Sequence, residues 1–83
     1  MHAAIKLITK AMEDDLGDAI ADQVRDYADG ESFSEQNPNA LRRALEWIEK
    51  HDRMLKQALS EEGYEAIEEL AADIEMELEE ARR

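Results

Sequence analysis

An all-α fold, an antiparallel bundle of three helices with the option of dimerising, is what this sequence predicts. Three observations point to it. Ala, Glu, Lys, Leu and Arg supply 45 of the 83 residues while Val and Thr occur once each, a balance that favours helices and starves a sheet. Apolar residues recur at intervals of three and four in three separate stretches, as they must if each stretch lays one face of a helix on a core. Between the stretches stand residues suited to stopping and starting helices.

The first stretch, about 3–29, carries Ile5, Ile8, Met12, Leu16, Ile20, Val24 and Tyr27 on one side. Gly30 follows as a C-terminal cap, where a residue without Cβ turns left-handed at little cost. Gly17 lies inside this helix and costs about 1 kcal/mol against Ala; the expectation is that it permits close helix packing, with a helix break as the alternative. Residues 31–37 form a polar connection whose Phe33 is expected to plug the end of the bundle. Asn37 and Pro38 then open the second helix, about 38–59, with Asn as the cap and Pro at the first position. Its core face is Leu41, Ala44, Leu45, Ile48, Leu55 and Leu59, with Trp47, His51 and Met54 at one edge. Ser60 caps the third helix, about 61–82, and Leu59 with Tyr64 makes a hydrophobic staple across its start. Tyr64, Ile67, Ala71, Ile74, Leu78 and Ala81 give this helix a narrow seam of coiled-coil type, with Leu70 beside it.

One modest core fits a chain of this length, so residues 1–83 form a single acidic helical domain, with no internal repeat and no low-complexity linker. Leu, Ile, Val and Phe number only 16, a scarcity that dimerisation would relieve. No apolar run approaches a membrane span and the N-terminus lacks the long apolar stretch of a secretory signal, so a cytoplasmic location is the default expectation.

The charge is 10 Lys and Arg against 22 Asp and Glu. Such a surface repels phosphate backbones and anionic lipids and attracts basic proteins. Neither direct nucleic-acid binding nor membrane binding is expected. The charge is also unevenly placed. The middle helix has the acid-before-base pairs Glu46 and Lys50, Glu49 and Arg53, and Asp52 and Lys56, each worth about 0.2–0.5 kcal/mol on an exposed face. The outer helices omit such compensation. Asp14, Asp18, Asp22 and Asp26 follow one another at steps of four, extended by Asp15 and Asp29, and Glu61, Glu65, Glu69, Asp73 and Glu77 do the same in the third helix. Successive ladder members rise about 6 Å, comparable in order with charge spacing along a nucleic-acid strand, so a rigid row of carboxylates suits a basic groove. Met76 projects among these acids, opposite the seam, as a lone apolar contact.

Little else in the chain points to chemistry. With no cysteine there is no thiolate site. Aligning Gly30 with the glycine of a calcium loop puts Arg25, Tyr27 and Gln36 at ligand positions, where they cannot serve. His51 and Asp52 are neighbours that point apart on a helix, and no metal-binding His spacing exists. Asp52 falls on the apolar stripe and is expected to pair with Lys56. No serine has a nucleophile context and no glycines form a phosphate loop. The reading is therefore no enzyme, no metal and no cofactor.

In general character the chain resembles the small acidic inhibitors that bacteriophages make against host defences, anti-CRISPR and antirestriction proteins among them. The likeness is compositional and covers no alignable segment. It implies a nucleic-acid mimic that occupies a basic, nucleic-acid-binding protein surface. The expected partner-binding residues are Asp14, Asp15, Asp18, Asp22, Asp26, Asp29, Glu65, Glu69, Asp73 and Met76. The alternative is an assembly or regulatory protein that dimerises through the third helix's seam at Ile74 and Leu78, its acid serving solubility or salt adaptation alone.

Overall fold

A computed structural model describes residues 2–82. Among the described residues the chain is helical throughout, with no strand: α1 (Ala3–Leu16), α2 (Asp18–Ala28), a short 3-10 turn (Phe33–Glu35), α3 (Pro38–Lys50), α4 (Asp52–Ala58) and α5 (Glu61–Ala81). The expected count of three helices is thus corrected to five, because the first and second helices each divide.

The first division is a reversal. Gly17 has φ 97° and ψ 160°, a region essentially restricted to glycine. A Cβ placed on Gly17 would meet nothing within 4 Å, so the residue serves backbone conformation and not the close packing expected of it. Beyond it α2 runs back along α1: the Arg25 Nε donates to the Thr9 hydroxyl at 3.3 Å, and the same guanidinium pairs with Glu13. Thr9 is buried and its hydroxyl also donates to the Ile5 carbonyl at 2.8 Å. Close packing belongs to Gly63 instead, where an added Cβ would lie 3.2 Å from the Ala4 Cβ and 3.2 Å from the Ser60 Oγ.

The second division is milder. His51 leaves helical geometry at φ −102° and ψ 14°, yet Leu55 N–H still donates to its carbonyl at 2.9 Å, so α4 continues from α3 after an offset. The His51 ring lies on the Trp47 indole with centroids 4.4 Å apart, and its Nδ1 is 2.8 Å from the Trp47 carbonyl that also receives the His51 N–H.

The other boundaries follow local chemistry. The His2 Nδ1 accepts from Ala4 N–H at 3.0 Å, the Asn37 side chain from Asn39 N–H at 2.9 Å, and the Ser60 hydroxyl from Gly63 N–H at 3.1 Å. Gly30, at φ 105°, turns the chain out of α2. Phe33 packs against the core and meets the Tyr27 ring edge-on at 6.5 Å. Leu59 and Tyr64 are both partly buried against the core at the entry to α5.

Both α2 and α5 pack against α1 and α3. The shared interior is built from Ile8 and Met12 of α1, Ala21 and Val24 of α2, Leu41 and Ala44 of α3, and Ile67 and Ile74 of α5, with Leu55 of α4. Trp47, expected at an edge, is 6% exposed and belongs to this core. Ile74 and Leu78 are 0% and 7% exposed; the chain's own core uses the seam that was expected to serve dimerisation. The radius of gyration, 11.8 Å, matches the roughly 12 Å expected of a compact chain of this length.

Asp52 is exposed and accepts a hydrogen bond from the Tyr64 hydroxyl, tying the start of α4 to α5. The expected pairing with Lys56 does not form. Nor do Glu46 and Lys50 or Glu49 and Arg53 reach ion-pair distance; among the described residues Arg25 makes the only ion pairs, with Glu13 and Asp22.

Two outcomes follow. Gly17→Ala should destabilise the fold by about 1–3 kcal/mol, the cost of holding a Cβ-bearing residue in this region, read as a lower urea midpoint; an unchanged midpoint would show that the turn tolerates other residues. The hydrogen bond to Asp52 pushes the Tyr64 phenol up to about 12, against an ordinary value near 10. Because the folded value is the higher one, the stabilisation is complete below about pH 10 and is lost as pH rises through about 12. In Tyr27→Phe protein, where Tyr64 is the only tyrosine, phenolate absorbance should appear near that upper value, and Asp52→Asn should bring it down toward the ordinary one.

Candidate protein-binding surface

Helix α5 is built on one apolar side and one carboxylate side. Ile67, Leu70, Ile74 and Leu78 face the core, which turns Glu61, Glu65, Glu69 and Asp73 outward, with Glu77 half-buried at the border. None of the acids of α5 takes part in an ion pair among the described residues. The ladder expected in this helix is therefore exposed from Glu61 to Asp73 and without ion pairs among the described residues, and its last member, Glu77, turns partly inward. Met76 stands on the same outer side and is 59% exposed.

The aspartates of the first stretch are dispersed by the Gly17 reversal. Asp14 and Asp15 end α1, Asp18, Asp22 and Asp26 lie on the returning α2, and Asp29 caps it. The four-step ladder through Asp14, Asp18, Asp22 and Asp26 does not exist as one row. Two of its neighbourhood are already engaged. Asp22 accepts from the Arg25 Nη1 at 2.8 Å, and Asp15 accepts from the Trp47 indole N–H at 2.7 Å. Asp18, in the first turn of α2, lies at the positive end of the helix dipole. Asp14, Asp18, Asp26 and Asp29 remain exposed.

Where the C-terminal turn of α2 approaches α5, a groove of about 520 Å³ opens, with Ile5, Tyr27, Ala28 and Leu70 on its floor and Glu31, Glu69 and Asp73 on its rim. Burial first, and then the negative charges of Glu77 and Asp73, raise the Tyr27 phenol above its ordinary value. Tyr27 accordingly stays a neutral hydrogen-bond donor beside carboxylates. This floor-and-rim arrangement suits a side chain with an apolar stem and a positive head, lysine or arginine, since the stem finds apolar contacts and the head finds acceptors. Tyr27 and Glu31 are the residues that reasoning from sequence missed here. Tyr27 read as one more member of a core stripe, and nothing local in the sequence brings 27–31 beside 66–73.

A second cleft, about 570 Å³, lies where the two helix divisions meet, lined by Asp15, Leu16, Arg43, Glu46, Trp47, Lys50 and His51. Its charges balance, and the Asp15–Trp47 hydrogen bond among its lining residues ties the end of α1 to α3. Among the described residues no three Asp, Glu or His side chains converge as a metal-binding set, and no helix is long and apolar enough to cross a membrane.

Asp15→Ala would leave the buried Trp47 indole N–H without its acceptor and should cost about 1–2 kcal/mol in urea unfolding, whereas Asp15→Asn, which keeps an acceptor, should cost less. Equal stability of all three proteins would return Asp15 to the free surface. Compared with known proteins, the chain matches no family model, no curated protein and no solved structure.

Proposed function

We propose that this chain is a protein-binding module, an inhibitor of bacteriophage type, whose carboxylate face on α5 occupies a basic surface of a partner that otherwise holds nucleic acid. The observation that carries the reading is the uncompensated row on α5, exposed from Glu61 to Asp73 beside a groove shaped for a basic side chain. Glu65, Glu69 and Asp73 supply the acceptors, Tyr27 and Leu70 the floor, and Met76 an apolar contact on the same face. Partner recognition thus concentrates on α5, with Asp14, Asp18, Asp26 and Asp29 adding long-range attraction that speeds encounter. Anti-CRISPR and antirestriction proteins are the functional classes this fits.

A nucleic-acid-binding partner should be captured from host lysate by the immobilised protein at about 50 mM salt, released at about 500 mM as screening shortens, and displaced by duplex DNA. The triple variant Glu65→Gln, Glu69→Gln, Asp73→Asn should weaken capture at least about tenfold, equivalent to about 1.4 kcal/mol over three contacts, with unchanged helicity. Capture that is indifferent to both salt and these substitutions would leave the acid as a solubility device.

A further inference from the structure

A groove of about 430 Å³ runs along the other flank of α5, between that helix and α3 with the start of α4. Leu45, Ile48 and Ile67, all buried, lie beneath it, and Ala71 and Ala72 line it from α5. Four exposed carboxylates stand around it, Glu49 and Asp52 on one side and Glu68 and Glu75 on the other. None of the four is in an ion pair among the described residues, and no base lines the groove. Asp52 takes the Tyr64 hydroxyl, so the contact made across the groove comes from a neutral donor. The groove shares no lining residue with the one that holds Tyr27 on the opposite flank.

The order of residues on α5 sets what can lie there. Glu68 and Glu75 are two helical turns apart, which places both on one edge of α5 at about 10 Å along the axis. Ala71 and Ala72 fall midway between them. The groove therefore offers acid, small apolar ground and acid in succession. An apolar side chain fits the middle, where the alanines leave room to reach the floor, and cations with flexible apolar stems fit the ends. A second helix laid along the groove presents that set when its bases stand seven apart with apolar residues three and four after the first, because its rise per residue equals that of α5. An uncharged helix would bury the carboxylates without compensation, so the rim selects charge as the floor selects the apolar residue. A second copy of this chain lacks the set: its only bases seven apart, Arg43 and Lys50, enclose Glu46 and the buried Trp47.

We propose that this groove docks a basic amphipathic helix of another protein, its two cations toward Glu68 and Glu75 and its apolar residue over Ala71 and Ala72, while Glu49 and Asp52 close the rim from the far wall. The contact rests on the reading that the partner is a basic protein, and it adds what a row of charges lacks, a required spacing. Charge alone attracts any polycation; two bases at a fixed interval with an apolar residue between them discriminate among partners.

The probe is a capped, alanine-rich peptide of about 18 residues, long enough to be helical in water, with lysines seven apart and leucines three and four after the first. Titrated into nitrogen-15-labelled protein at about 50 mM salt, where screening is modest, it should give saturable amide shifts at Ile48, Ala71 and Ala72, with a Kd of about 1 mM or tighter. A peptide of the same composition with its lysines five apart, on different faces of the helix, should bind at least about tenfold more weakly, and so should the first peptide with serines for leucines. Glu68→Gln with Glu75→Gln, both at exposed positions, should weaken the first peptide at least about tenfold with unchanged helicity. Equal binding by the rearranged peptide, shifts confined to Tyr27, Ala28 and Ala66 in the opposite groove, or no saturable shift would each overturn the proposal. None of these outcomes bears on the salt-released capture tested through Glu65, Glu69 and Asp73, so the two readings fail separately.

Discussion

The positive φ of Gly17 reverses the chain, and the burial of Ile8 and Met12 against Ala21 and Val24 depends on that reversal. A single helix over 3–29 would be about 40 Å long, more than the 35 Å of the molecule's longest dimension. Left straight, part of its apolar stripe would project past anything able to cover it. Folding back halves the length and lets one stripe supply two walls of the core. For a chain with so few large apolar residues, this concentration of burial separates a folded domain from an extended one. Arg25 then secures the hairpin by reaching Thr9 and Glu13, which is why the one base in α2 sits where it does.

Much of this architecture was legible from sequence. The caps at Asn37 and Ser60, the turn at Gly30, the anchoring of Phe33 and the inward side of α5 each arise from a few neighbouring residues, and local chemistry decides them. The reversal was not legible, because Met12, Leu16, Ile20 and Val24 keep a step of four straight through it; the same spacing serves one long helix or two that fold together. The offset at His51 was equally hidden, since no glycine or proline marks it and the apolar stripe runs on through it to Leu55 and Leu59. Asp15 and Trp47, or Asp52 and Tyr64, become partners only once distant helices meet. The charge pairs of the middle helix failed for a different reason: exposed pairs four apart gain only a few tenths of a kcal/mol, too little to fix two long side chains against competing hydration.

The candidate surface was half legible. Both acidic runs stood out in the sequence, but only a continuous helix turns a run into a row, and the reversal grants that to α5 alone. The aspartates around the hairpin became a scattered field, with Asp15 and Asp22 drawn into holding the fold. What reading along the chain could not supply was the groove, whose floor draws on α1, α2 and α5 and whose rim belongs to α5 and the connection.

Helix α5 carries its acids at a cost to itself. Like charges at steps of four repel by about 0.2–0.5 kcal/mol each, and its last turn holds acids and no base, against the sign that the helix dipole favours. Ser60 as cap and Glu61 and Glu62 in the first turn offset part of this. The larger opposing contribution is burial: Ile67, Leu70, Ile74 and Leu78 each contribute about 1.5–3 kcal/mol when removed from water. The inner side of α5 therefore holds in place an outer side that would weaken an isolated helix. A design for solubility alone would be served as well by acids interspersed with bases. Keeping one sign along the whole outer side, at the expense of the helix that bears it, favours a surface shaped for recognition.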